Sequence, residues 1–114
     1  MSTVEAIVSD FGGVLTTPLL DAFTAIQEAH GIPLEALGQA MALAAQRNGG
    51  VPPLFELETG AITEAEFYAR LGAALEEVLG RPVDLDGFSD AFFAALQPNE
   101  ELFAFLRGLR ARGY

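Results

Sequence analysis

The 114-residue sequence contains no cysteine, no lysine and no tryptophan, and it has a single histidine. Without cysteine there is no disulfide framework, no thiolate nucleophile and no cysteine-ligated zinc site. A single histidine excludes metal sites built from several imidazoles, although aspartate and glutamate oxygens could still hold a hard cation such as Mg²⁺. These absences leave carboxylate oxygens as the metal ligands to consider.

Basic residues are also scarce, since six Lys plus Arg face sixteen Asp plus Glu, for a formal net charge of −10. This acidity argues against binding to a phosphate backbone. The longest stretch without a charged residue, 36–46, is far shorter than the ~20 residues of a membrane helix. The first ten residues, MSTVEAIVSD, have an acidic residue at position 5 and no basic region, unlike a signal peptide. The sequence therefore predicts a cytoplasmic protein that binds neither nucleic acid nor membrane.

A chain of this length forms one domain or part of a larger one. Its apolar content of 51%, before glycine is counted, is above that of an average soluble domain. We therefore expect either very efficient packing or a partner surface.

Hydrophobic periodicity predicts one strand in a mostly helical chain. Val4 to Ser9 reads as a short buried strand, which ends at Asp10 before Gly12-Gly13. Helices are predicted over 18–30, 33–48, 53–58, 63–79 and 99–112, and a short one is predicted to carry Phe92, Phe93 and Leu96.

Capping residues predict where these helices begin and end. Thr17 before Pro18 is the expected N-cap of the first helix, and Ser89 that of the short helix. Thr63 followed by Glu66 forms a capping box. Glycines, including Gly31, Gly80 and Gly113, follow the helix ends; His30, in the last turn before Gly31, is expected to have a capping role rather than a catalytic one.

Asp10 is the strongest candidate in the sequence for a catalytic or metal-binding residue. A carboxylate at the carboxyl end of a buried strand lies where α/β folds place their ligands, and the amides of a glycine-rich turn can converge there on an anion. Asp10 could then act as a nucleophile or bind Mg²⁺. The alternative is an ordinary turn residue, with Gly12-Gly13 supplying a positive φ.

Three segments in order resemble haloacid dehalogenase-like (HAD) hydrolases of the subgroup with a small helical cap inserted after the first motif. They are DFGGVLT from Asp10 to Thr16, ETGAITEAEF from Glu58 to Phe67, and the stretch from Pro98 to Tyr114. The resemblance implies an α/β Rossmann-like core with an inserted helical-bundle cap, of which this chain, itself mostly α, holds only part of the core. Residues 1–16 would be the first core strand and nucleophile loop, 17–97 the cap, and 98–114 the return helix.

The same resemblance implies Mg²⁺-dependent hydrolysis of a small phosphorylated metabolite through an aspartyl intermediate. Asp10 would be the nucleophile. Its carboxylate and the Gly12 carbonyl would bind Mg²⁺, and the amides of Phe11 and Gly12 would hold the transferring oxygens.

Two departures from the family pattern keep alternatives open. Gly12 stands where the phosphatases carry a second aspartate that protonates the leaving group. The dehalogenase branch lacks that aspartate and uses a cap arginine, for which Arg47 is the candidate.

The second, third and fourth family motifs would fall after Tyr114, so these 114 residues alone are expected to be inactive. The competing interpretation is a non-catalytic helical interaction module, and self-association through an uncovered apolar face is expected.

Overall fold

The computed structural model describes residues 3–114, so Met1 and Ser2, the beginning of the predicted segment 1–16, lie outside the described residues. Within that range the helices are α1 Leu19–His30, α2 Leu34–Arg47, α3 Pro53–Glu58, α4 Glu64–Leu79, α5 Phe88–Ala95 and α6 Glu100–Ala111. The prediction of a mostly helical chain is confirmed. None of these six helices, the longest of which has 16 residues, is long and apolar enough to cross a membrane.

Local sequence signals set both ends of α4. The Thr63 side chain accepts a hydrogen bond from the Glu66 N–H, and the Glu66 side chain accepts one from the Thr63 N–H, which completes the predicted capping box. At the other end, Gly80 takes a left-handed conformation with φ of 66°. Glycine adopts this conformation without a Cβ clash, so the helix ends where the sequence predicted.

Two of the predicted N-caps are wrong. Pro18 occupies the N-cap position of α1, while the Thr17 hydroxyl accepts a hydrogen bond from the Gln97 N–H at 3.1 Å. Thr17 is thus engaged by the returning chain rather than by its own helix. Helix α5 begins earlier than predicted, with Gly87 at its N-cap in a left-handed conformation, so Ser89 lies inside the helix.

The prediction of a buried strand over Val4–Ser9 is also wrong. Residues 3–11 form neither helix nor strand, and Val8 is 97% exposed. A strand needs a neighbouring strand to satisfy its N–H and C=O groups, and residues 3–114 contain no such neighbour. The apolar residues are present, but they have no sheet to join.

The core lies among the first five helices. Helix α1 packs on α5, and α2 packs on α4, with α3 beside α4. Ile26, Ile32 and Leu75 are the largest fully buried side chains, and Phe23 on α1 meets Phe92 on α5 with ring centroids 5.4 Å apart. These contacts make α1 to α5 one bundle.

Helix α6 lies outside that bundle. It packs on none of the other helices and has no buried residue. Its Leu106 and Leu109 instead line a groove with Ile7 and Ser9 from the N-terminal segment. The molecule is accordingly elongated, with a radius of gyration of 17.7 Å against about 13 Å for a compact chain of this length.

Candidate functional site

A tight turn follows Asp10. The Phe11 carbonyl accepts hydrogen bonds from the Val14 N–H at 3.2 Å and the Leu15 N–H at 2.9 Å. Gly13 has a φ of 76°, a left-handed conformation that side-chain-bearing residues rarely adopt. The predicted glycine turn is therefore present, although it follows an irregular segment rather than a strand.

The Asp10 carboxylate is held from its own turn and is open to solvent. Its Oδ1 accepts a hydrogen bond from the Phe11 N–H at 2.8 Å, and the Ser9 hydroxyl donates to the Asp10 carbonyl at 2.9 Å. Because Asp10 is an exposed residue, a ligand can reach this carboxylate. The Phe11 amide must leave Asp10 before it can hold a phosphoryl oxygen, whereas the Gly12 N–H has no acceptor within residues 3–114.

Gly12 is confined on one side by α1. A Cβ built at this position would lie 3.2 Å from Cδ2 of Leu19, closer than side chains normally approach each other. A larger residue here would push on the first turn of α1. This contact favours a small residue at position 12.

Thr16 closes the turn from inside, a role that the sequence analysis missed. Its hydroxyl accepts a hydrogen bond from the Gly13 N–H and donates one to the Thr17 carbonyl, each at 2.9 Å. Thr16 also forms an antiparallel bridge with Pro98, although the two residues are far apart in sequence. No local pattern could have revealed the second contact.

Further hydrogen bonds hold the two chain segments together on both sides of that bridge. The Thr17 N–H donates to the Gln97 carbonyl, and the Asn99 N–H donates to the Leu15 carbonyl, each at 2.8 Å. The Asn99 side chain donates to the Val14 carbonyl at 3.2 Å. The chain therefore enters the helical bundle and leaves it at the same place, directly after the Asp10 turn.

The oxygen atoms at this turn are of the type that binds Mg²⁺, but they are fewer than its coordination shell requires. The Asp10 carboxylate and the Gly12 carbonyl offer the hard oxygens that Mg²⁺ prefers. However, no cluster of three or more acidic or histidine residues suited to a metal occurs within residues 3–114. Since Mg²⁺ has about six ligands and usually keeps several waters, these two oxygens would supply part of its coordination shell.

The other candidate residues are engaged elsewhere. Arg47, at the last turn of α2, forms an ion pair with Glu77 of α4. His30, at the last turn of α1, packs against Phe88 with ring centroids 5.8 Å apart and the ring planes tilted by 41°. Both side chains join elements of the bundle in this structure.

Comparisons with protein-family models, with curated proteins and with solved structures find no significant match to this chain.

Proposed function

We propose that this chain carries the nucleophile turn and the helical cap of a cytoplasmic HAD-like hydrolase, with Asp10 as the attacking group. One observation carries the proposal: the bridge between Thr16 and Pro98 joins the two ends of the helical segment a few residues after Asp10. Residues 17–97 are thus attached to the Asp10 turn as an insertion, the arrangement that a cap over a carboxylate nucleophile requires. Residues 98–114 then supply the return helix.

The proposed reaction has two displacement steps at phosphorus. A carboxylate oxygen of Asp10 bonds to the phosphorus of a phosphate monoester as the bond to the leaving oxygen breaks, which gives an aspartyl phosphate. Water then attacks the phosphorus, a proton passes to solvent, and phosphate leaves as the Asp10 carboxylate is restored. Bound Mg²⁺, held by the Asp10 carboxylate and the Gly12 carbonyl among other ligands, would offset the phosphoryl charge.

Gly12 restricts the substrates that this site can serve. With no side chain at this position to donate a proton, the leaving oxygen must take its proton from water or depart as an anion. Small phosphorylated metabolites whose leaving groups form stable anions are therefore the proposed substrates. The 114 residues alone are proposed to be inactive, since they contain no lysine to stabilise the transferring group and the loss of one such contact typically costs about 10²–10³ in rate.

Exposed apolar side chains favour a second candidate, a non-catalytic interaction module. Val8 is 97% exposed and Phe105 60% exposed, and Phe11 beside the candidate nucleophile is also exposed. Surfaces of this kind commonly mark sites of protein association.

Hydrolysis of an aryl phosphate, with and without Mg²⁺, separates the two candidates. The assay uses the 114-residue chain and the protein produced from the complete reading frame, each with Asp10→Asn and the control Asp21→Asn, an exposed acid in the first turn of α1. We expect no turnover above background by the 114 residues and Mg²⁺-dependent turnover by the complete product, abolished by Asp10→Asn and kept by Asp21→Asn. Activity that survives Asp10→Asn would refute the proposed nucleophile, and a complete product that hydrolyses no phosphate ester would favour the interaction module.

A further inference from the structure

Helix α6 presents an exposed stripe that none of the other helices covers. The stripe consists of Glu101, Phe105 and Gly108 of α6 and of Arg112, the C-cap residue of this helix; their spacing of four, three and four residues places them along one side of it. All four residues are exposed, Phe105 to 60% of its surface. A Cβ at Gly108 would meet nothing within 4 Å, so the space above this glycine is open.

The stripe is symmetric about its midpoint, which lies between Leu106 and Arg107. Phe105 and Gly108 lie equally far from that point on opposite sides, one a large apolar side chain and the other an open space. Glu101 and Arg112 are likewise equidistant, and they carry opposite charges. When a second α6 is laid antiparallel on the first, each large residue therefore faces a small one and each acid faces a base.

We propose that two copies of this chain associate through an antiparallel pair of α6 helices. Phe105 of each copy covers Gly108 of the other, and Glu101 of each copy pairs with Arg112 of the other. The two-fold axis crosses the stripe at the level, along the helix, of the peptide bond between Leu106 and Arg107, so every contact occurs twice, as an isologous interface requires. This inference does not depend on the chemistry proposed for Asp10.

Charge complementarity identifies a second copy as the occupant of the stripe. The chain has a net charge of −10, yet three of its six arginines fall in residues 107–112. The two ion pairs found within residues 3–114 use Arg47 and Arg70, and neither involves Arg112. A partner that covers the stripe needs a base opposite Glu101 and an acid opposite Arg112 at matching spacing, and α6 itself has that pattern.

The size of the helix sets the strength of the association. Twelve residues of helix span about 18 Å. A single pair of such helices buries less than the ~1,200 Å² of a standard stable interface, so the dimer should be weak and reversible. We expect monomer and dimer to exchange rapidly at micromolar concentrations and above.

Sedimentation velocity over a concentration series tests the pairing. Glu101→Arg and Arg112→Glu each place like charges opposite one another twice, so each should raise the dimer dissociation constant about tenfold. The double variant E101R/R112E exchanges the charges and should restore the wild-type constant. Gly108→Leu should also weaken the dimer although leucine is the better helix former, because it fills the space that Phe105 of the second copy occupies.

The matched control is E100R/R107E with its two single variants, which make the same charge changes on a different side of α6, where both residues are exposed. None of these three should alter the dissociation constant. A protein that stays monomeric at every concentration overturns the proposal. So does a dimer that ignores E101R and R112E, since its interface must then lie elsewhere, for example on the exposed segment 3–11 or on a segment outside these residues.

Discussion

The Thr16 hydroxyl accepts a hydrogen bond from the Gly13 N–H at 2.9 Å and thereby holds the glycine turn that follows Asp10. Thr16 is only 7% exposed and is the buried polar side chain of residues 3–114. In Thr16→Val the side-chain shape is kept, but the Gly13 N–H and the Thr17 carbonyl lose their partner. We expect the free energy of unfolding to fall by about 1–3 kcal/mol in urea titrations.

Thr24→Val is the matched control for that substitution. Thr24 is exposed on α1, where its hydroxyl donates to the Leu20 carbonyl one turn earlier. A surface change of this kind should stay within about 0.5 kcal/mol. Equal losses in the two variants would show that the Thr16 hydroxyl does not stabilise the turn.

The separation of α6 from the bundle predicts a difference in amide hydrogen exchange. Helices α2 and α4 share buried contacts through Leu37, Leu71 and Leu75, whereas α6 has no buried residue. Regions with few buried apolar contacts open at low free energy. At low protein concentration the α6 amides should therefore exchange well before those of α2 and α4; uniform protection in all three helices would contradict this.

Two glycine substitutions should change the free energy of unfolding in opposite directions. Gly80 has a φ of 66°, and an alanine in the left-handed region costs about 1–2 kcal/mol, so Gly80→Ala should lower the free energy of unfolding. Gly38 lies inside α2 with open space where a Cβ would lie, so Gly38→Ala should raise it by up to about 1 kcal/mol. Urea titrations of both variants check the prediction, which fails if both change stability in the same direction.

Tyr68 makes the folding stability of the chain depend on pH in the alkaline range. Burial raises the pKa of its hydroxyl above the ordinary value of about 10; the Ser89 hydroxyl lowers it, while Glu64 and Asp90 raise it. A raised pKa means that the folded state favours the neutral hydroxyl. This contribution to stability is complete below the unfolded pKa of about 10 and is lost as the pH rises through the folded pKa.

Unfolding titrations between about pH 9 and pH 11 therefore should show a steeper fall in stability for the wild type than for Tyr68→Phe. The slopes of stability with pH are the quantity to compare, because Tyr68→Phe also removes the interaction of the hydroxyl with Ser89. Parallel slopes would show that Tyr68 does not contribute to the alkaline loss of stability.

Helix ends were predictable from the sequence where the signal is local. The capping box of Thr63 and Glu66 and the left-handed Gly31 and Gly80 lie within a few residues of the backbone groups that they satisfy. The short helix α3 also begins at the predicted Pro53. Such signals need no knowledge of the remaining fold.

Contacts between distant residues were not predictable in this way. Thr17 resembles a helix N-cap, but its hydroxyl bonds to a backbone amide 80 residues later. Val4, Ile7 and Val8 have the composition of a buried strand, but strand formation depends on a neighbouring strand that residues 3–114 do not contain. At the candidate site, the Asp10 turn was foreseen from Gly12-Gly13, whereas the part played by Thr16 depends on a fold-level contact with Pro98.

The bridge between Thr16 and Pro98 means that the helical bundle is connected to the rest of the chain at a single place. Because Thr16 and Pro98 form an antiparallel bridge, a tight two-residue connection in place of residues 17–97 would keep the segments on either side next to each other. The same geometry lets the bundle be transplanted into a hairpin loop of another protein. Loss or exchange of residues 17–97 would remove two contacts of the Asp10 turn, which are the Thr17 carbonyl bonded to Thr16 and the Leu19 side chain beside Gly12.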